Sequence, residues 1–119
     1  ALHVIYPHIG QGESTSVVHA PAIRVADAIP EDQARQVASA LGLWSDGMEA
    51  KDAAQAVADR LEAIYTEIGM PTRLRQLEVP KGDLHQVAAA TLRNFNANAG
   101  VRSEAEQIAS AMRLLEAAW

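Results

Sequence analysis

The sequence predicts an all-α fold, a bundle of about five helices joined by short loops. Three observations predict it. Apolar residues recur at helical steps of three and four, most clearly in Ala54, Val57, Leu61, Ile64, Tyr65 and Ile68. Residues that start and stop helices bracket those runs: Pro30 before Glu31 and Asp32, Asp83 before Gln86, Ser103 before Glu106, and Gly42 and Gly69 as stops. Nothing alternates polar and apolar for long enough to build a sheet.

The chain has 119 residues, enough for one domain with its own core and without metal or disulfide staples. We read it as a single helical domain over 1–119, with a turn-rich leading segment at 1–12 and helices from 13 onward. Cysteine is absent, which removes a disulfide framework, a thiolate metal site and a Cys nucleophile, and fits a cytoplasmic protein. The net charge is −5, with 15 acidic and 10 basic residues and no basic stripe, so nucleic acid is not an expected partner. No apolar run approaches the roughly 20 residues of a membrane span, so no membrane partner is expected either.

Taken in order, Pro7 bars a regular helix through His8, and Gly10 and Gly12 permit backbone angles closed to other residues. From Glu13, with Ser14 or Ser16 near its start, a helix carries Val17, Val18, Ile23 and Val25; Pro21 should bend or end it, and it stops near Asp27. A second helix begins after Pro30 and carries the stripe Ala34, Val37, Ala38 and Leu41 up to Gly42. Trp44 in the next loop packs back onto the helices. The strongest helix runs from about Glu49 to Ile68, with Asp52, Gln55, Asp59, Arg60 and Glu62 on its outer face. Arg73 to Leu77 can form one more turn, and Val79 to Gly82 breaks the chain again. Asp83 with Gln86 forms a capping box ahead of Leu84, Val87, Ala88, Thr91 and Leu92. The stretch from Asn94 to Gly100 is a loop, and Ser103 with Glu106 opens a last helix with Ile108, Ala111, Met112, Leu115 and Trp119 inward.

Few residues here carry chemistry by themselves. His19 and His85 read as ordinary polar side chains. His3 and His8 stand five apart across a proline, which is not the spacing that places two ligands on one helix face. Their nearness to Gly10-Gln11-Gly12 makes them candidates, and an ordinary polar role fits them equally. The Gly-Gln-Gly turn lacks the third glycine of a dinucleotide fingerprint and the lysine of a P-loop. A turn feeding a helix start can hold an anion or a substrate oxygen, but by itself Gly10-Gln11-Gly12 reads better as an ordinary turn.

The run from Gly10 through Val18, followed by Pro21-Ala22-Ile23-Arg24, resembles the Gly-His-Gly-Glu-Thr-Ser segment and its following helix in the iron-containing alcohol dehydrogenases, particularly the maleylacetate reductase and hydroxy-acid dehydrogenase branches. The stretch from Ala56 to Arg60, Ile68 to Leu74, Leu77, Val79 and Asp83-Leu84 is similar to the later part of that family. So is the ending Leu114 to Trp119. The resemblance implies a dehydroquinate synthase-like C-terminal helical domain, one wall of a cleft shared with an NAD(P)-binding domain that would lie outside this sequence, which opens on Ala1. It also implies a divalent metal, iron or zinc, polarising the oxygen of a small-molecule substrate during hydride transfer. Where that family carries a metal-binding His between the two glycines, this chain has Gln11, a poorer ligand. The family's more distant His could correspond to His3, with the spacing one residue short.

Three expectations follow. The chain is the helical domain of such an oxidoreductase, with His3 and His8 as catalytic candidates and Gln11, Gly12 and Glu13 at the substrate. Alternatively it is a metal-free ligand-binding or protein-interaction module, whose formerly interdomain apolar face favours a companion chain or a homo-oligomer. The third expectation is a repurposed non-redox pocket with His3 or His8 as general base.

Overall fold

The computed structural model describes residues 1–93 and 102–119. Among the described residues the fold is all-α: α1 Leu2–Ile5, α2 Gln11–Val25, α3 Glu31–Ala40, α4 Ala50–Glu67, α5 Leu84–Thr91 and α6 Glu104–Ala118, with 3-10 turns at Leu74–Leu77 and Lys81–Asp83. Five of the helices make the bundle that the apolar spacing predicts. The sixth, α1, is a single turn in the leading segment, where the turn-rich sequence suggested no helix; it ends at Tyr6, before Pro7. No described helix is long and apolar enough to cross a membrane.

The second helix is the hub. It packs on both α4 and α6, while α3 packs on α4 and α5 on α6. Two apolar clusters follow from this arrangement. The larger joins Leu2 and Ile9 of the leading segment to Val17 of α2, Leu74, Leu84 and Val87, and Leu115 of α6. The smaller joins Ala34 and Ala38 of α3 to Ala53 and Val57 of α4, with Ile23 and Trp44 against it. Three of the four buried residues in the smaller cluster are alanines, small side chains between the packed α3 and α4. Arg35 lies over the Trp44 ring, 5.6 Å from its centroid.

Several local readings change in three dimensions. Pro21 neither ends nor interrupts α2, which continues to Val25. Its ring is fully buried, so packing offsets part of the roughly 3 kcal/mol that a proline costs inside a helix. The predicted stripe of α3 is half right: Ala34 and Ala38 are buried, whereas Val37 is 47% exposed and Leu41 also faces out. Ile68 lies just past the end of α4 and is 65% exposed. Asp83 does not close a capping box on α5. It accepts instead from the Tyr6 hydroxyl at 2.6 Å, tying the leading segment to the start of α5. Desolvation, then the hydrogen bond to Asp83 and its charge, push the Tyr6 hydroxyl up to about 12. Ser103 and Glu106 form the predicted box in full: Ser103 Oγ accepts from the Glu106 N–H at 3.3 Å, and Glu106 Oε2 accepts from the Ser103 N–H at 2.8 Å. The expected loop over Asn94 to Gly100 lies outside the described residues.

Glu62, read as an outer residue of the strongest helix, is drawn inward. Its carboxylate accepts from Arg24 of α2, and from Arg73 at 2.8 Å. Arg24 also donates to Asp59 at 2.8 Å, and Gln55 steadies Asp59 at the same distance. Burial pushes the Glu62 carboxyl up, but hydrogen bonds from Arg73 and Arg24 outweigh it and hold the group below its usual range.

Two predictions follow. A carboxyl depressed in the folded state contributes stability above its unfolded value and loses it as pH falls. Glu62→Gln should therefore lower stability at pH 7 by about 1–3 kcal/mol and flatten the loss of stability on acidification below about pH 4.5, read by urea unfolding across pH. Identical pH curves for the two proteins would contradict this. Tyr6 has the opposite sign: its contribution is present below the ordinary tyrosine value and lost as pH rises toward about 12. Tyr6→Phe should cost about 1 kcal/mol near neutrality and remove that alkaline loss, checked by the same unfolding measurement.

Candidate functional site

The Gly10-Gln11-Gly12 stretch is the start of α2, with Gly10 as its cap and Gln11 as its first residue. Gly10 has φ −70 and ψ 161, angles open to any residue, and the left-handed glycines among the described residues are Gly42, Gly47 and Gly69. The special backbone freedom expected of Gly10 and Gly12 is not used there. Glu13 Oε2 accepts from the Gly10 N–H at 2.8 Å, so this carboxylate satisfies one of the helix's own free donors.

From Gln11, Thr15 and His19 follow at four-residue steps and share one face of α2. They line a cleft of about 470 Å³ together with Ser14 and Val18. His3 of α1 stands at its edge, and Val87 and Thr91 of α5 with Ala111, Leu114 and Leu115 of α6 form the facing wall. Two hydroxyls in this lining are turned to backbone: Thr15 donates to the Gln11 carbonyl at 2.9 Å, and Thr91 to the Ala88 carbonyl at 2.6 Å. Ser14 Oγ is buried without a hydrogen-bond partner among the described residues, which costs about 1–3 kcal/mol. His19 Nδ1 lies 3.0 Å from the Tyr65 hydroxyl of α4. That leaves Nε2 as the nitrogen free to meet a ligand.

The structure thus brings His3 and Gln11 to one cleft. His8, Gly12 and Glu13 do not line it. His8 is exposed, its ring edge-on to Tyr6 with centroids 6.0 Å apart. His85 is exposed on α5. Sequence reasoning passed over Thr15, His19 and Tyr65. The four-residue steps from Gln11 through Thr15 to His19 were the available signal; the contact with Tyr65 spans 46 positions and had none.

The donor set can be tested against a metal. Among the described residues, no group of three or more His, Cys, Asp or Glu side chains is placed to hold one. Among the described residues the cleft lining offers two imidazoles and one carboxamide and no carboxylate. Iron and zinc centres draw on imidazole, thiolate and carboxylate ligands, and an amide oxygen is a weak substitute. These donors do not by themselves fit such an ion.

No curated protein and no solved structure matches the chain. A family model does: the Fe-containing alcohol dehydrogenase family, C-terminal, matches residues 2–118. The match runs from the first residue of α1 to the last of α6, over the all-helical architecture and the cleft edged by His3 and Gln11. The chain therefore belongs to the Fe-containing alcohol dehydrogenase family, of which it carries the C-terminal helical domain.

Proposed function

We propose that this chain is the helical half of a family oxidoreductase, forming one wall of a substrate cleft whose other wall is an NAD(P)-binding domain. The observation that carries this reading is the family match over residues 2–118, coupled to the cleft that His3 and Gln11 share. In it, Gln11 stands where the family carries its metal-binding His, at the first turn of α2, and His3 faces the same space. The chain's own part is to bind and orient a small substrate against the apolar side chains of α5 and α6. His8, Gly12 and Glu13 support the start of α2 and its approach. Within the family, the Gly10 to Ser16 segment and the helix after it favour the maleylacetate reductase-like branch.

A second reading is favoured by one observation: Gln11 replaces the family's ligand, and no three-ligand group is placed among the described residues. In that reading the domain is a metal-free ligand-binding or protein-interaction module, acting with a companion chain or as a homo-oligomer.

Joined to a nucleotide-binding domain of the family, in one chain or as a companion chain, the protein should oxidise NAD(P)H in the presence of aldehydes or keto acids. A folded assembly that binds no NAD(P)H and turns over neither substrate class would contradict the first reading and favour the second. Gln11→His should raise zinc affinity by about tenfold or more, since an imidazole replaces an amide in the donor set. Competition with a colorimetric zinc chelator reads this directly. An unchanged affinity would mean that Gln11 does not stand at a metal position.

A further inference from the structure

We propose that the Asp46–Gly47 bond is a modification site: in the folded protein it rearranges spontaneously to isoaspartate, which creates a substrate for S-adenosylmethionine-dependent carboxyl methylation and loosens the connection between α3 and α4. The proposal is independent of what the cleft binds.

The rearrangement needs no co-reactant. The Gly47 amide nitrogen gives up its proton and attacks Cγ of Asp46; the N–Cγ bond forms as one carboxyl oxygen leaves as water, closing a succinimide ring. Water then opens the ring at either carbonyl. Opening at Cγ restores aspartate, whereas opening at the backbone carbonyl leaves the main chain running through Cγ, one methylene longer, with a free α-carboxylate. One water is lost and one taken up, so mass, net charge and oxidation state are unchanged.

Sequence and structure single out this bond. Of the six aspartates only Asp46 precedes a glycine, and no asparagine does. Glycine has no side chain to shield the attacking nitrogen. Asp32, Asp52 and Asp59 lie in α3 and α4, where the helix fixes the backbone angles that ring closure must change. Asp27 accepts from Arg113 at 3.0 Å and Asp83 from Tyr6 at 2.6 Å, whereas Asp46 has neither a hydrogen bond nor an ion pair among the described residues. Asp46 and Gly47 are both exposed. They are the central residues of a turn closed by the Met48 N–H, which donates to the Ser45 carbonyl at 3.1 Å. Gly47 has φ 84 and Asp46 a negative φ, which makes the turn type II. Its middle peptide, Asp46–Gly47, takes no part in the closing hydrogen bond and can turn over toward the type I geometry with that bond in place. Such a rotation carries the Gly47 nitrogen toward the Asp46 carboxyl. A Cβ placed on Gly47 would meet nothing within 4 Å, so the space beside it is open. An extra methylene between these residues breaks the Ser45–Met48 register, and Met48 packs against the smaller apolar cluster between α3 and α4.

The test is to age the full chain at neutral pH and body temperature and to count isoaspartate over time by methyl transfer from radiolabelled S-adenosylmethionine with a purified isoaspartyl methyltransferase. Electron-transfer fragmentation of the peptides locates the altered residue. Label should accumulate with time and map to Asp46. Asp46→Glu, an exposed change whose longer side chain must close a larger ring, should lose the label and keep the melting temperature of the fresh protein. The isoaspartyl fraction, separated by chromatography, should melt below the fresh protein. No accumulation, label mapping mainly to another aspartate, or label retained in Asp46→Glu would overturn the proposal. So would label that forms in urea and not in the folded chain, because the native turn would then protect the bond. An isoaspartyl fraction that melts with the fresh protein would overturn the effect on α3 and α4.

Discussion

A single half-buried carboxylate fixes how the helices meet. Glu62 receives guanidinium groups from α2 and from the segment after α4, and Arg24 extends the contact to Asp59. An exposed ion pair contributes little, because water and salt screen it and two long side chains must be held still. Here the arginines and Glu62 are each largely shielded, and one ordered carboxylate serves two donors, so the ordering of the second pair costs less than that of the first. The contact pins the later half of α2 to α4. Everything its earlier half touches is placed by that constraint.

The second helix divides its surface accordingly. Val17 and Ala20 are buried in the interior, Ile23 packs on the smaller cluster beside α3 and α4, and Gln11, Thr15 and His19 are left to the cleft. A 15-residue helix thus serves two cores and one site, and a shift along its axis would disturb all three. The Tyr65 contact with His19 belongs to the same join between α2 and α4 as the Glu62 cluster. It connects the packing of the bundle to the edge of the site.

The parts of this architecture that depend on neighbours in sequence were readable from the residues. The Ser103–Glu106 box, the stop at Gly42 and the start after Pro30 are local chemistry, and each forms as its pattern implies. What escaped depends on partners far along the chain. Asp83 has the spacing of a helix cap, but Tyr6, 77 positions away, takes its carboxylate. Glu62 has the character of a solvated face until two arginines from other segments close on it. Val37 follows the apolar period, yet α3 packs through Ala34 and Ala38, which leaves Val37 outside. The site divides in the same way: His3 and Gln11 were legible through their nearness to a turn, whereas His19 looked ordinary because its significance comes from Tyr65 on another helix.

Membership in a metal-dependent family and the ligand set in hand pull against each other, and the donor chemistry decides what the chain does by itself. The two imidazoles and one amide found among the described residues of the cleft, without a carboxylate, are too weak a set to retain iron or zinc through purification. Elemental analysis of this chain, purified without chelator and confirmed by intact mass, addresses that point most directly. The account predicts iron and zinc well below one ion per chain. About one ion per chain would contradict it and show that His3, His19 and Gln11 converge on a metal after all.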